Sequence, residues 1–572
     1  LFTCADYSGD SKMTVQNRQK ELADALSRQE GGAKQCPDRR PLQRRVWCLA
    51  TVLALSGFSG CGLNQWVHNG FKVGPNYCKP AVPVASEWID YRDPNIKSEP
   101  VDLAAWWTVF RDPALDNLVQ TASRQNISLR VAGMRILEAR AMRGVAAGEL
   151  FPQTQTMNGS YNRTGVSENV ANRDATPQRW YNQWNQNFSL SWELDFWGRF
   201  RRAVEAADAE LDASIENYDD VLVLLLAEVA SSYVEMRTFQ QRVSYAVNNV
   251  VAQENALKIT EDRHQHGKAT RRDVEQARTV LEQTRATVPQ YEQGWRLANN
   301  RLCVLLGRPP QDLAAMGLGN ASVPKAPPEV AVGIPADLVR RRPDIRKAER
   351  EAAAQSAKIG IAESDFYPQI SITGTLGWSS QDLSNLYAPG SFRGIVGPGF
   401  NWNILNYGRI ANNVRAQDAR FQQVAYAYQE KVLEAAREAE DGIVKFLKSH
   451  KRSKCLDASA QAAENMRDIT ISQYNEGTVD FTAVYIAESA LTQVQDLAAE
   501  ARGQIAQSLI ELYRALGGGW EMRLLPQGGA EGTAEGASSI HIEPDRRPDV
   551  SEHLEPMPAP LPTPPDKPGP GH

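Results

Sequence analysis

Trp192-Glu-Leu-Asp-Phe-Trp-Gly198-Arg199 returns as Trp402-Asn-Ile-Leu-Asn-Tyr-Gly408-Arg409, at an offset of 210 positions (402 − 192). The same offset carries Gly267 onto Gly477, Leu281 and Gln283 onto Leu491 and Gln493, and Gly307 onto Gly517. Upstream, Phe151-Pro152-Gln153 answers Tyr367-Pro368-Gln369 at an offset of 216, so the first copy holds six more residues before its tryptophan (216 − 210). One identity could be chance. A fixed offset held over more than a hundred residues, with its single slip in a loop, is the mark of a duplicated structural unit.

Each unit joins two period-two segments to very long helical ones. In Asn187-Phe188-Ser-Leu190-Ser-Trp192-Glu-Leu194-Asp-Phe196 every even position is apolar and every odd one polar, the pattern of a half-buried strand. In the second copy Phe400, Trp402 and Ile404 alternate with Gly399, Asn401 and Asn403, and Ile370, Ile372, Leu376 and Trp378 alternate with Ser371, Thr373 and Thr375. Four strands of about ten residues follow, a length that suits a tilted membrane-crossing strand. Trp180, Trp184, Trp192, Trp197, Trp378 and Trp402 gather at strand ends as an interfacial girdle does; core filling is the competing reading.

Helices fill the rest. No proline falls between Pro177 and Pro289 or between Pro398 and Pro526. Long helices are expected from Arg199 to about His264 and from Arg409, turning at Gly267 and Gly477, with returning helices that stop at the glycines Gly307 and Gly517. At 1.5 Å per residue the first spans roughly 100 Å, which suits a coiled coil. A further helix is expected from Ala114 to Leu150, with Asp112 as its N-cap, Pro113 at its first position and Leu115, Leu118, Val119 and Ala122 on its buried face. The shorter helices, stacked end to end, would form a second strut of full length.

Bulk properties exclude several classes. With 572 residues and a net charge of −5, there is no electrostatic case for nucleic acid. No apolar run reaches 18 residues, so a membrane would be entered by strands or by a lipid. Seven cysteines (Cys4, Cys36, Cys48, Cys61, Cys78, Cys303, Cys455) without a CxxC pair argue against a zinc site and a disulfide framework. Cys303 and Cys455 read as buried helical side chains. Cys61 stands apart. Arg39, Arg40, Arg44 and Arg45 precede the apolar run Val46 to Leu55, and Phe58-Ser59-Gly60-Cys61 then reads as a secretory signal ending in a lipobox, with Cys61 lipidated. Residues before about Arg39 are expected to be an over-extended start. Gly62, in place of an aspartate, favours the outer membrane.

These residues resemble the TolC-like outer-membrane efflux proteins, in their lipoprotein (OprM/NodT) branch. The resemblance is carried by Cys61, Val73-Gly-Pro-Asn-Tyr77, Trp88, Trp106-Trp107, the two Phe/Tyr-Pro strand starts, Trp192 to Arg199, and Ile334-Pro-Ala-Asp-Leu-Val-Arg-Arg-Arg-Pro-Asp-Ile345. It covers about residues 70 to 520. It implies a mainly α protein with a membrane β-barrel: a homotrimer in which each protomer gives four strands to one 12-stranded barrel, above a coiled-coil periplasmic tunnel. Physics agrees, because four strands in lipid leave unpaired backbone edges and must oligomerise to close. The expected organisation is a pre-sequence (1–60), an extended arm (61–113), a first repeat (114–308: strands 152–197, hairpin 199–306), a second repeat (330–519: strands 368–406, hairpin 409–517) and a disordered Pro/Gly-rich tail (525–572).

The implied function is a passive duct in the outer membrane, exporting drugs or metals from an inner-membrane pump through a periplasmic adaptor. Phe188, Leu190, Trp192, Leu194, Phe400 and Trp402 are expected to face lipid, and Ser189, Ser191, Asn401 and Asn403 water. The turns at Gly267 and Gly477 are expected at the periplasmic mouth. There the resemblance implies a closing hydrogen bond between Asp273 and Tyr474. Ala483 and Ile486 stand where the best-known member carries acids, leaving Asp480 as the first acid after Gly477. No HExxH, Ser/His/Asp ordering or P-loop occurs, so neither enzyme activity, a cofactor nor a metal is expected. His264 and His266, two apart on a helix, do not share a face. Arg340-Arg-Arg342 reads as a helix start or a packing contact before an anion site. The alternatives are a periplasmic coiled-coil scaffold lipoprotein, and the exit duct of a type I secretion system.

Overall fold

The structure, a computed structural model, describes residues 66–524 apart from 98, 100–102, 170, 172–177 and 314–321. The leader, the lipid-anchor candidate Cys61 and the tail from 525 lie outside the described residues.

The described chain begins with a short helical turn and a largely extended arm that buries Val73, Trp88, Leu103, Trp106 and Trp107 and leaves Val67, Phe71, Val84 and Ile89 exposed. Within it, β1 (Ile96–Lys97) pairs in parallel with β4 (Val330–Ala331), tying the arm to the start of the second copy. Next come α1 (Pro113–Gln125), α2 (Ile127–Gly148), β2 (Thr154–Gly165), β3 (Trp180–Leu194), α3 (Arg199–Gln265) and α4 (Arg271–Leu305). The second copy follows as α5 (Pro335–Arg341), α6 (Pro343–Ser364), β5 (Gln369–Ser380), β6 (Phe392–Asn401), α7 (Arg409–Glu476) and α8 (Phe481–Ala515). Asp112 caps α1 as its side chain accepts from Ala114 N at 3.0 Å, and Leu115, Leu118, Val119 and Ala122 are all buried.

The offset of 210 is a backbone fact. Gly198 and Gly408 precede the long helices with φ of +85° and +82°; Gly267 and Gly477 turn them at +73° and +80°; Gly307 and Gly517 end the returning helices at +68° and +73°. All six sit in the left-handed region, where a Cβ is strained.

One expected helix is two. The stretch from Ala114 to Leu150 breaks at Asn126, which takes an extended conformation and caps α2 by accepting from Leu129 N at 2.9 Å. Its Nδ2 donates to Leu305 O, the last residue of α4, at 2.9 Å. Helix α4 therefore abuts α2 end to end. In the second copy Arg342 precedes α6 and donates from Nη1 to Ala515 O, the last residue of α8, at 2.8 Å. The carbonyls differ by 210 positions (515 − 305) and the donors by 216 (342 − 126), the two offsets of the sequence repeat.

The main core lies at these joints. Trp106, Trp107, Phe110 and the buried face of α1 pack on residues 222–236 of α3, with Leu302, Cys303 and Leu306, Ile443 and Phe446 of α7, and Leu509 and Leu512 of α8. Burying each of these large side chains contributes roughly 1.5–3 kcal/mol. Helix α3 packs on α4 over one part of its length and on α2 and α6 over another, while α7 packs on α8 and α6. Cys455, expected to be buried, is exposed; Cys303 is buried, with its Sγ donating to Gln311 O at 3.4 Å.

Candidate functional site

Two regions could carry function: the four-stranded sheet and the pair of helical turns at the other end of α3 and α7.

The sheet is antiparallel in the order β2-β3-β5-β6. Its register puts Phe188, Leu190, Trp192 and Leu194 of β3 on one face with Ile370, Ile372, Leu376 and Trp378 of β5, Val396, Pro398 and Phe400 of β6, and Met157 of β2. The other face carries Thr154, Thr156, Asn158 and Ser160, then Asn185, Asn187, Ser189 and Ser191, then Ser371, Thr373 and Thr375, then Gly397, Gly399 and Asn401. Hydroxyls and carboxamides meet across strands there, Ser189 with Thr375 at 3.4 Å and Ser379 to Asn185 at 2.9 Å. One face wants an apolar medium and the other water. Both flanking strands, β2 and β6, keep an unpaired outer edge.

Trp402 requires a correction. Strand β6 ends at Asn401, which pairs with Gln369, the first residue of β5 after Pro368; the ladder has run out of partners. Trp402, Asn403 and Ile404 thus lie past the strand, where Ile404 N donates back to Trp402 O at 3.0 Å. The tryptophans do form two levels. Trp180, Trp184 and Trp378 stand towards the loop end. Trp192, Trp197 and Trp402 stand at the helical end, where their indole N–H groups donate to Leu150, Pro368 and Phe366 carbonyls at 3.2, 2.8 and 2.9 Å.

At the opposite end the turns at Gly267 and Gly477 are held together by a residue that the sequence reading passed over. Arg263, in the last turn of α3, donates to Tyr474 O at 2.7 Å and Asn475 O at 2.9 Å. It thereby gives Asn475 O a donor and Tyr474 O a second one beside Gly477 N at 3.0 Å, at a helix C-terminus where a cation is also favoured by the helix dipole. Its guanidinium lies 4.3 Å from the Tyr474 ring, which packs edge-on against Phe481. A basic residue four before a turn glycine was the available signal, but it pointed to its own helix and not to the neighbour.

Asp273 and Tyr474 are both buried here, yet no hydrogen bond joins them. Asp273 Oδ2 accepts from Thr270 N at 2.8 Å and Thr270 accepts from Asp273 N at 3.3 Å, a closed capping box at the start of α4. Asp273 Oδ1 and Tyr474 Oη are each buried without a hydrogen-bond partner. Asp480 is exposed and lies 3.9 Å from Arg272, which is also 3.9 Å from Asp273. Ile486 is exposed on α8. His264 and His266 turn separately to Ala269 O and Asp262 O at 2.9 and 2.7 Å, and no metal cluster occurs among the described residues. Arg342 is no anion site: it is buried against Asp344 and Glu438, both at 2.8 Å.

A further contact set surrounds the first copy's motif. Asp195 accepts from Phe200 N and Arg201 N at 3.0 Å each, and Arg201 and Arg202 reach the carbonyls of Gly70, Phe71, Val73 and Gly74 at 2.7–3.1 Å. The N-terminal arm is thereby clamped where strand gives way to helix.

The outer membrane efflux protein family model matches residues 118–308 and 334–518. Nodulation protein T of Rhizobium leguminosarum bv. trifolii is 28% identical over 457 residues, covering 79% of this chain and 95% of that protein. The toluene efflux pump outer membrane protein TtgI of Pseudomonas putida is 28% identical over 464 residues, 79% of this chain and 96% of that one. Among solved structures, the outer-membrane channel OprN superposes with a TM-score of 0.73 at 30% identity, over 78% of this chain and 99% of that one.

Proposed function

This chain belongs to the outer membrane efflux protein family, and from that premise we propose that it is the outer-membrane duct of a tripartite efflux system. Three protomers close their sheets into one 12-stranded barrel, and α3, α4, α7 and α8 continue the conduit into the periplasm. An inner-membrane pump, joined by a periplasmic adaptor, loads small molecules, the class named for the toluene-exporting relative. Cys61 carries the lipid anchor. The duct itself does no chemistry, so it needs neither cofactor nor catalytic residue.

The observation that carries this reading is the sheet. It has one mainly apolar and one mainly polar face and leaves β2 and β6 with open edges. In lipid each unsatisfied backbone group costs several kcal/mol, so such a sheet must close on copies of itself. Exposed apolar side chains on α2 (Val131, Met134, Met142, Val145) and α7 (Tyr426, Leu433) supply surface for the seams between protomers. The mouth is placed at the Gly267 and Gly477 turns, with Asp273, Tyr474 and Asp480 around it. The orphaned Asp273 Oδ1 and Tyr474 Oη are the atoms left to make its closing contact.

The test is assembly in detergent. Wild type should run as a heat-modifiable trimer. An arginine at Leu190, on the apolar face, should abolish it at roughly 2–4 kcal/mol if near the bilayer midplane, and Ser191→Arg should be tolerated. Equal assembly of the two variants would remove the barrel and leave a soluble coiled-coil scaffold.

A further inference from the structure

The polar face of the sheet is almost free of charge. Along all four strands it carries two charged residues, Glu193 on β3 and Arg393 on β6. Arg163 falls on the apolar face, in register with Asn182. Glu193 sits at the helical end and lies 3.6 Å from Arg199. Arg393 sits near the loop end, and among the described residues no carboxylate pairs with it.

Its position is built. Arg393 pairs with Gly377 on β5, and Gly377 pairs with Asn187 on β3. The guanidinium crosses the intervening strand to donate from Nη2 to Asn187 Oδ1 at 2.9 Å. Gly377 makes the crossing possible: a Cβ there would come within 2.6 Å of that same Oδ1 and 2.2 Å of Gln186 O. A neutral carboxamide orients the charge without cancelling it. Inward of Arg393 the same face of β6 carries only Ile395, Gly397, Gly399 and Asn401, none of which competes electrostatically.

We propose that Arg393 sets the ion preference of the conduit, three copies forming a cationic ring near its outer end that favours anionic over cationic solutes. This rests on the trimeric-barrel reading. Twelve strands about 4.8 Å apart and tilted about 40° give a backbone radius of roughly 12 Å. At 10 mM salt the Debye length of about 30 Å exceeds that radius, and three charges should enrich a monovalent anion on the axis about threefold. At 1 M the screening length of about 3 Å leaves no enrichment.

Reversal potentials of single trimers in planar bilayers, under a KCl gradient, test this. Wild type should prefer chloride at about 10 mM and lose the preference near 1 M; Arg393→Gln should lose it at low salt, Arg393→Lys should keep it and Arg393→Glu should reverse it. An unchanged reversal potential in conducting Arg393→Gln trimers overturns the proposal and spares the duct. If wild-type trimers do not conduct at all, the duct reading fails first and this one with it.

Discussion

Where α4 meets α2, the side chain that crosses the joint is the neutral carboxamide of Asn126; where α8 meets α6, it is the buried guanidinium of Arg342. Backbone positions are conserved between the copies to the residue, and the chemistry is not. The tips diverge in the same way. Thr270 and Asp480 are equivalent by offset (480 − 270 = 210) and both precede a returning helix. Thr270 closes a capping box with Asp273, whereas Asp480 makes no capping hydrogen bond and Asp273 is replaced by Ala483. Duplication thus preserves what the backbone needs, a glycine at positive φ or a carbonyl that needs a donor. The donor itself is free to become neutral or charged, local or borrowed.

The largest effect should come from the charged joint. Arg342→Ala leaves Ala515 O without its donor, Glu438 without its cation and Asp344 with only Lys431, 3.9 Å away, and should cost about 3–5 kcal/mol. Asn126→Ala should cost about 1 kcal/mol. Burial pushes the Asp344 carboxyl up, but the Arg342 guanidinium, joined by Lys431 and the Ile345 N–H, outweighs it and holds the group below the usual carboxylate range. A depressed carboxylate stabilises above its unfolded pKa and loses that contribution as pH falls through the folded one. The Arg342→Ala deficit in denaturant unfolding should therefore shrink in acid. A deficit no larger than that of Asn126→Ala would erase the contrast between the joints.

The second effect has the opposite pH sign. Glu488 is equivalent by offset to Arg278 (488 − 278 = 210), which is exposed and paired with Glu261 at 3.3 Å. Glu488 is instead buried, with Oε2 unpartnered, beside Gln253, whose Oε1 is also unpartnered. Burial raises its pKa, and Arg467 opposes this only in part. A raised carboxyl favours the fold below its unfolded pKa and loses that advantage as pH rises through the folded one. Glu488→Gln should slow amide exchange in α8 at neutral pH, by an opening free energy of roughly 1–3 kcal/mol, and match wild type in acid. A gap independent of pH would show that packing, not ionisation, governs the site.

The smallest effects sharpen the tips. Thr270→Ala should destabilise the start of α4 by about 1 kcal/mol, and Asp480→Ala should leave α8 nearly unchanged. Ala483→Asp, restoring an acid to the first turn of α8, should stabilise it by about 0.3–1 kcal/mol. Hydrogen exchange at the two helix starts reads all three. Equal losses at Thr270 and Asp480 would make the two tips energetically alike.

Much of this architecture was legible because it is periodic or local. The alternation from Asn187 to Leu194 fixes a face, and a glycine that must take positive φ advertises a turn. What escaped reading is held by pairs distant in the chain. Asn126 and Leu305 are 179 residues apart, and Arg263 and Tyr474 are 211 apart. Nothing in the composition near Arg201 announces that it grips Gly70. Trp402 was misplaced for a related reason: alternation continues past Asn401, but a strand lasts only while its partner does, and β5 starts at Gln369. At the turns, the resemblance implied a hydrogen bond between Asp273 and Tyr474, and none joins them, because Asp273 is used by its own helix start.

Helices α3 and α7 contain 67 and 68 residues, so they agree in length to a single residue, about 1.5 Å of rise. They act as two rulers cut from one template. Because each turns back through a glycine and is read against the other by Arg263, their reach cannot drift independently. Deleting seven residues, about two turns or 10.5 Å, from α3 alone would carry Arg263 away from the carbonyls it holds. To shorten that reach, a descendant of this chain would have to trim α3, α4, α7 and α8 by matched whole turns. The distance from sheet to turns is then inherited in steps, and four coordinated deletions are the smallest move.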